Sequence, residues 1–186
     1  TNLYMPSIMR DFPEFHYDEM KSRAENVLTS YLQSITKQNP ALLSEGTREL
    51  KEQLRLRLEM LQNQSQKENF ENIHIHRTEI HQYRKQRGRQ SIVLQTAVEY
   101  FHALKENGKV IRGSEEHKEQ AKYNVELVYI QDQDMIENQE DAGLGLNCPN
   151  CGAPLPGLGA KKCIYCDTPI VEYNLRVWNF SRVEEV

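Results

Sequence analysis

No stretch of this chain comes near the ~18 consecutive apolar residues that a membrane-crossing helix requires. Runs such as Ile92-Val93-Leu94 are strand-sized, so a membrane-crossing helix is excluded within these 186 residues. The chain also lacks an initiator methionine and any signal-peptide pattern. It is expected to be a fragment, with any anchor lying upstream of Thr1. There is no glycine-rich phosphate loop and no Ser-His-Asp arrangement, which removes the commonest nucleotide and acyl-transfer chemistries. An excess of positive charge is missing too: 23 Lys+Arg face 27 Asp+Glu, a net charge of −4. A general nucleic-acid binder is normally basic, so this balance argues against DNA or RNA as a partner. Only Lys161-Lys162 speaks for such a contact, and the acidic stretch upstream of it speaks against.

What is present is foldable. Hydrophobic residues make up 38% and charged residues 27%, a polar composition that still suffices for a core. Charge is unevenly placed. Residues 71–113 carry eight basic and four acidic groups, and residues 114–147 carry two and nine.

Cysteine is absent from the first 147 residues, and then four fall within 19: Cys148, Cys151, Cys163 and Cys166. A disulfide scaffold would spread its cysteines through a small chain. Two C-x2-C pairs read instead as a tetrathiolate metal site. Each C-x2-C turn aims two thiolates at one point. Four thiolates leave no open coordination position, so one structural Zn2+ per chain is expected, bound by all four. Four free cysteines, two disulfides, or iron in a rubredoxin-like site are the rival readings. Pro154, Pro156, Gly157 and Gly159 between the knuckles leave little to form a core. The metal must then supply the folding free energy, on the order of 10 kcal/mol for such sites.

The rest of the chain reads by its apolar period. Residues 1–10 show no clear period and are expected to be a loose lead-in. Tyr17, Met20, Ala24, Val27, Leu28, Tyr31, Leu32 and Ile35 make one helical stripe, started by Asp11 or Asp18 and stopped at Asn39-Pro40. Ser44 is expected to cap a second helix to about Asn63, with Leu50, Leu54, Leu58 and Leu61 as its contacts and Leu56 and Met60 widening the stripe. Residues 62–71 read as a polar linker. The period then changes to two. Ile73 and Ile75 alternate with His74 and His76. A basic hairpin turn follows at Arg84–Arg89, then a strand through Ile92, Leu94, Thr96, Val98, Tyr100 and Leu104. Asn107-Gly108 is a hairpin signal. Val110-Ile111 forms a short strand, and Ala121 to Tyr129 a further one. Tyr173 to Arg182 closes the chain as a last strand. Helices followed by strands imply an α+β fold, with N-terminal helices packed on a curved antiparallel sheet and the cysteine module inserted before the last strand.

This order resembles a family. Asp11-Phe-Pro-Glu-Phe and the helix after it, Leu42-Leu43-Ser44, Ile73 to Tyr83, Ile92 to Leu104, Asn107-Gly-Lys-Val-Ile-Arg-Gly113 and Val177-Trp-Asn-Phe-Ser-Arg182 together are similar to Tim-forty-four-like domains. The likeness covers residues 11–131 and 171–186; residues 146–170, the zinc-ribbon module, depart from the family pattern. The resemblance implies a cone of helices and curved sheet with a concave apolar pocket. It also implies a non-enzymatic, membrane-associated, transport-related scaffold on the cytoplasmic side, partnered by a protein or an anionic membrane surface.

Three groups of candidate residues follow. Arg84, Lys85, Arg87 and Arg89 place four cations in six residues and could contact anionic headgroups. Leu94, Tyr100, Tyr123, Val125, Leu127 and Tyr129 share apolar strand faces and could line a pocket for a hydrophobic ligand, though core packing explains them too. His74, His76 and His81 could be metal ligands, but a solvated strand face is the simpler account. A small-ligand or enzymatic pocket on the same fold is the competing function. A buried carboxylate in the pocket would favour that alternative, whereas a lining of Ile, Leu, Val and Tyr alone would favour the scaffold.

Overall fold

The computed structural model describes residues 2–130, 151, 165–167 and 178–186. Three helices precede a five-stranded antiparallel sheet: α1 (Met5–Asp11), α2 (Tyr17–Lys37), α3 (Arg48–Asn63), β1 (Gln66–Gln86), β2 (Arg89–Glu106), β3 (Lys109–Gly113), β4 (Glu119–Ile130) and β5 (Trp178–Glu185). The fold is α+β. Strand order is β1-β2-β4-β5, and β3 pairs with the far end of β2. Along one edge of β2, residues 89–100 pair with β4 and residues 103–106 with β3.

The core lies between α2 and the inner face of the sheet. The α2 stripe is buried as its spacing predicts, from Met20 to Ile35, with Tyr17 half-buried at its start. It packs against Ile92, Leu94, Val98, Val125, Leu127 and Phe180. Fully burying a side chain of this size contributes about 1.5–3 kcal/mol. The helix ends on Gln38 in the left-handed region (φ 55°), where the Asn39 N–H returns to the Ser34 carbonyl at 2.9 Å.

Several local expectations are corrected. The N-terminal lead-in is not loose: residues 5–11 form α1 and Ile8 is fully buried. Met5, Ile8 and Phe12 stand three and four apart, a helical spacing on too short a window to read. Neither Asp11 nor Asp18 caps α2. The cap position is His16, without a side-chain bond, and Asp18 sits in the first turn instead. Ser44 does not cap α3. Its N–H is taken by Ser30 Oγ at 2.9 Å, and Thr47 caps the helix by accepting from the Leu50 N–H at 3.2 Å. Residues 62–71 are not a linker, because only Gln64-Ser65 separates α3 from β1. Phe70 and Glu68 point inward there; with a carboxylate in one inward position, the alternation is invisible to a hydrophobic count. Leu56 and Met60 do not widen the buried stripe and are 51% and 37% exposed.

The second hairpin turn, Asn107-Gly108, is as the sequence predicts, and the first is shorter than Arg84–Arg89: Arg84 to Gln86 pair within β1 and Arg89 opens β2, leaving Arg87-Gly88 as the turn. Gly88 has φ 71°, and Asn107-Gly108 take φ 52° and 79°, the doubly left-handed turn that matches strand twist.

Candidate functional site

A cleft of about 390 Å³ opens where α2 and α3 meet the sheet, edged by Leu32, Gln53, Leu56, Met60, Glu68 and Tyr123. Beside it runs a chain of charges drawn from four elements. Arg57 (α3) donates to Glu68 Oε1 (β1) at 2.5 Å from Nη2 and 3.1 Å from Nε. His102 Nε2 (β2) meets Glu68 Oε2 at 2.7 Å, and its Nδ1 meets Glu119 Oε1 (β4) at 3.1 Å. The Phe70 ring stacks on the imidazole, centroids 4.7 Å apart.

Burial pushes the Glu68 carboxyl up, but the hydrogen bonds from His102 and Arg57 outweigh it and hold the group below its ordinary value. Burial pulls His102 down, but Glu68 and then Glu119 outweigh it and hold the imidazole above its ordinary value. With the imidazole protonated, the row reads cation, anion, cation, anion. A protonated imidazole donates at both nitrogens, and both of its acceptors are in place. Tyr100 and Tyr123 share a hydrogen bond of 2.7 Å between their hydroxyls. Burial pushes both phenols up, so neither supplies a base.

General base catalysis needs a lone pair free to face the substrate. Glu68 spends both oxygens on its neighbours, and His102 spends both ring nitrogens. The arrangement can hold four elements in register and present a polar floor to a ligand. Proton transfer would first require the network to break.

The sequence-selected pocket residues separate in three dimensions. Leu94, Tyr100, Val125 and Leu127 lie fully within the core. Tyr123 reaches the cleft, while Tyr129 reaches a second cavity at the other end of β4. Glu68, Arg57 and His102 were not singled out by sequence reading. The available signal was parity: Glu68 shares a strand face with Phe70, and His102 with Tyr100.

Of the four hairpin cations, Lys85 pairs with Asp11 at 2.5 Å. Arg89 pairs with Glu126 at 3.1 Å and lies 3.8 Å from Glu49. Arg84 and Arg87 are exposed and have no ion pair among the described residues. His74 and His76 are exposed on the outer face with ring centroids 4.9 Å apart, and His76 Nε2 lies 3.3 Å from Glu99 Oε2. Among the described residues no group of three or more His, Cys, Asp or Glu side chains is arranged to hold a metal ion. Cys148 and Cys163 lie outside the described residues, as do residues 131–147 and residues 173–177 of the expected last strand. Cys151 is exposed and Cys166 half-buried. No family model matches the chain, and no curated protein matches it.

Proposed function

We propose that this chain is a non-enzymatic, membrane-associated scaffold of the Tim-forty-four-like kind, carrying one structural Zn2+ on Cys148, Cys151, Cys163 and Cys166. The observation that carries the non-enzymatic part is the Arg57–Glu68–His102–Glu119 row. The buried acid–base groups beside the cleft are committed to one another. The exposed Leu56 and Met60 at the cleft mouth support docking of an apolar segment from a protein partner, or of a hydrophobic ligand. Arg84 and Arg87 support contact with an anionic surface, at about 1 kcal/mol per cation. Zinc on four thiolates would have no coordination position left for substrate, so its part is to fold the module.

Co-sedimentation with anionic liposomes tests the membrane part. Binding should fall with salt and be lost when Arg84 and Arg87 become glutamine. Neutralising Lys85 and Arg89 should add little, since both already face carboxylates. Absence of binding at low salt would refute hairpin docking.

The alternative, a small-ligand or enzymatic pocket, is favoured by one observation. Glu68 is a buried carboxylate at the cleft edge, only 4% exposed. A ligand that displaced Arg57 would free Glu68 Oε1. Turnover abolished by Glu68→Gln without loss of fold would establish that reading over the scaffold.

A further inference from the structure

Two tyrosine hydroxyls in the lining of the 390 Å³ cleft carry protons that no described residue accepts. The first is on Tyr31 of α2. Its oxygen accepts from Gln53 Nε2 at 2.9 Å, and that amide is fixed by its two bonds to the Val183 backbone. Gln53 therefore cannot turn an acceptor toward Tyr31, whose own proton has none among the described residues. The second hydroxyl comes from the pair Tyr100 and Tyr123, with oxygens 2.7 Å apart. Each hydroxyl owns one proton, and their shared bond uses only one of the two. Tyr100 is 1% exposed and takes no part in the lining, so its proton goes to Tyr123. Tyr123 does line the cleft, and its proton is left for whatever fills that space. Burial is the main reason both phenols stay protonated, and the charges of Glu185 and Glu68 add to it.

We propose that this cleft binds a small uncharged apolar compound through a carbonyl oxygen, which accepts from the Tyr123 and Tyr31 hydroxyls. This ligand class rests on the reading of the cleft as an apolar docking site. A carbonyl brings two lone pairs and no proton of its own, the complement of a site left with donors. A hydrocarbon would cover both hydroxyls without giving either an acceptor, and such unmade bonds weaken binding. An ammonium head offers protons and no lone pair. A carboxylate would accept, but it would enter beside Glu68 and beside Glu185, which stands opposite Tyr123 across β4 and β5. Arg57 in the lining already faces Glu68. Leu32, Ile35, Leu56, Met60 and Val183 supply the apolar walls. The volume falls in the range of small-molecule sites.

The experiment titrates the whole chain with acetophenone, with its hydrocarbon isostere α-methylstyrene and with benzoate, followed by calorimetry and by saturation-transfer NMR. Saturable binding of acetophenone is expected, with benzoate weaker. Tyr123→Phe and Tyr31→Phe should each weaken acetophenone about two- to tenfold, the worth of one hydrogen bond, and leave α-methylstyrene within about twofold of the parent. The α-methylstyrene titration also shows that a variant keeps its cleft. Tyr31→Phe carries the test alone if loss of the Tyr100 partner unfolds Tyr123→Phe. The infrared carbonyl band of bound acetophenone should rise in frequency in each variant as a donor is lost. Glu185→Gln should strengthen benzoate roughly two- to fivefold. Binding of acetophenone and α-methylstyrene that neither tyrosine variant changes would overturn the carbonyl assignment and leave the apolar docking site standing. Benzoate tighter than acetophenone would overturn the uncharged class. Silence toward every probe by both readouts would overturn the proposal together with the hydrophobic-ligand part of the docking reading.

Discussion

Gly113 shows how a single residue holds the candidate site in shape. It closes β3 at φ 78°, and a methyl group there would collide with the His102 carbonyl. That carbonyl receives the Ser114 N–H at 2.7 Å. Gly113→Ala should therefore cost about 1–3 kcal/mol, read as a lowered denaturation midpoint. The ionic row gives a pH prediction. His102 titrates above its ordinary 6.5, so its contribution is fully present below that value and is lost as pH rises through the elevated folded value. Glu68 titrates below its ordinary 4.5, so its contribution is present above that value and is lost as pH falls through the depressed folded value. Both are intact between about pH 4.5 and 6.5. Stability of the parent relative to His102→Gln should peak in that window and shrink toward pH 8. A constant difference from pH 5 to 8 would show that His102 does not carry its charge in the fold.

At the scale of elements, the two outer strands are protected in different ways. An exposed strand edge invites pairing with another chain. β1 is 21 residues long, and its register with β2 shifts at Glu71/His74, Ile75/Arg77 and Ile80/Gln82. Such irregularities twist an edge away from a flat template. β5 is covered by helices instead. The Thr47 N–H donates to the Phe180 carbonyl at 2.9 Å, and Arg23 to the Trp178 carbonyl at 3.2 Å. Gln53 on α3 imitates a neighbouring strand: its Nε2 donates to the Val183 carbonyl at 2.5 Å, and its Oε1 accepts from the Val183 N–H at 3.3 Å. Gln53→Ala should cost about 1–3 kcal/mol in chemical denaturation, because buried backbone groups lose their partner. An unchanged midpoint would show that water replaces the amide. In α2, Leu28→Ala should cost about 2–5 kcal/mol, since the site is fully enclosed.

For the molecule as a whole, the cysteine module is the part that composition singles out most sharply. Elemental analysis should find one zinc per chain. Less than half an equivalent, or a red iron-loaded protein, would defeat the tetrathiolate zinc assignment. Cys163→Ser should unfold residues 148–170 while the helical circular dichroism of α2 and α3 persists. Loss of that signal would show that the module and the sheet fold together.

Periodicity and turn residues carried the α+β class, the α2 stripe, the places of both hairpins and the strand alternation of β2 and β4. These are local properties: 3.6- and 2-residue spacings and left-handed turns act over a few neighbours, so a sequence displays them. The clustering of all four cysteines is local in the same sense. The charged row beside the cleft was legible only as scattered polar residues. Arg57, Glu68, His102 and Glu119 come from four elements: antiparallel register brings Glu68, His102 and Glu119 together, and the packing of α3 on the sheet adds Arg57. The same holds for the second cavity, where Phe12 meets Trp178 across more than 160 positions of chain. A polar residue announces nothing about burial until its partner is known. Tertiary structure supplies that partner, and with it decides whether a carboxylate is solvated, reactive or held in an ion pair.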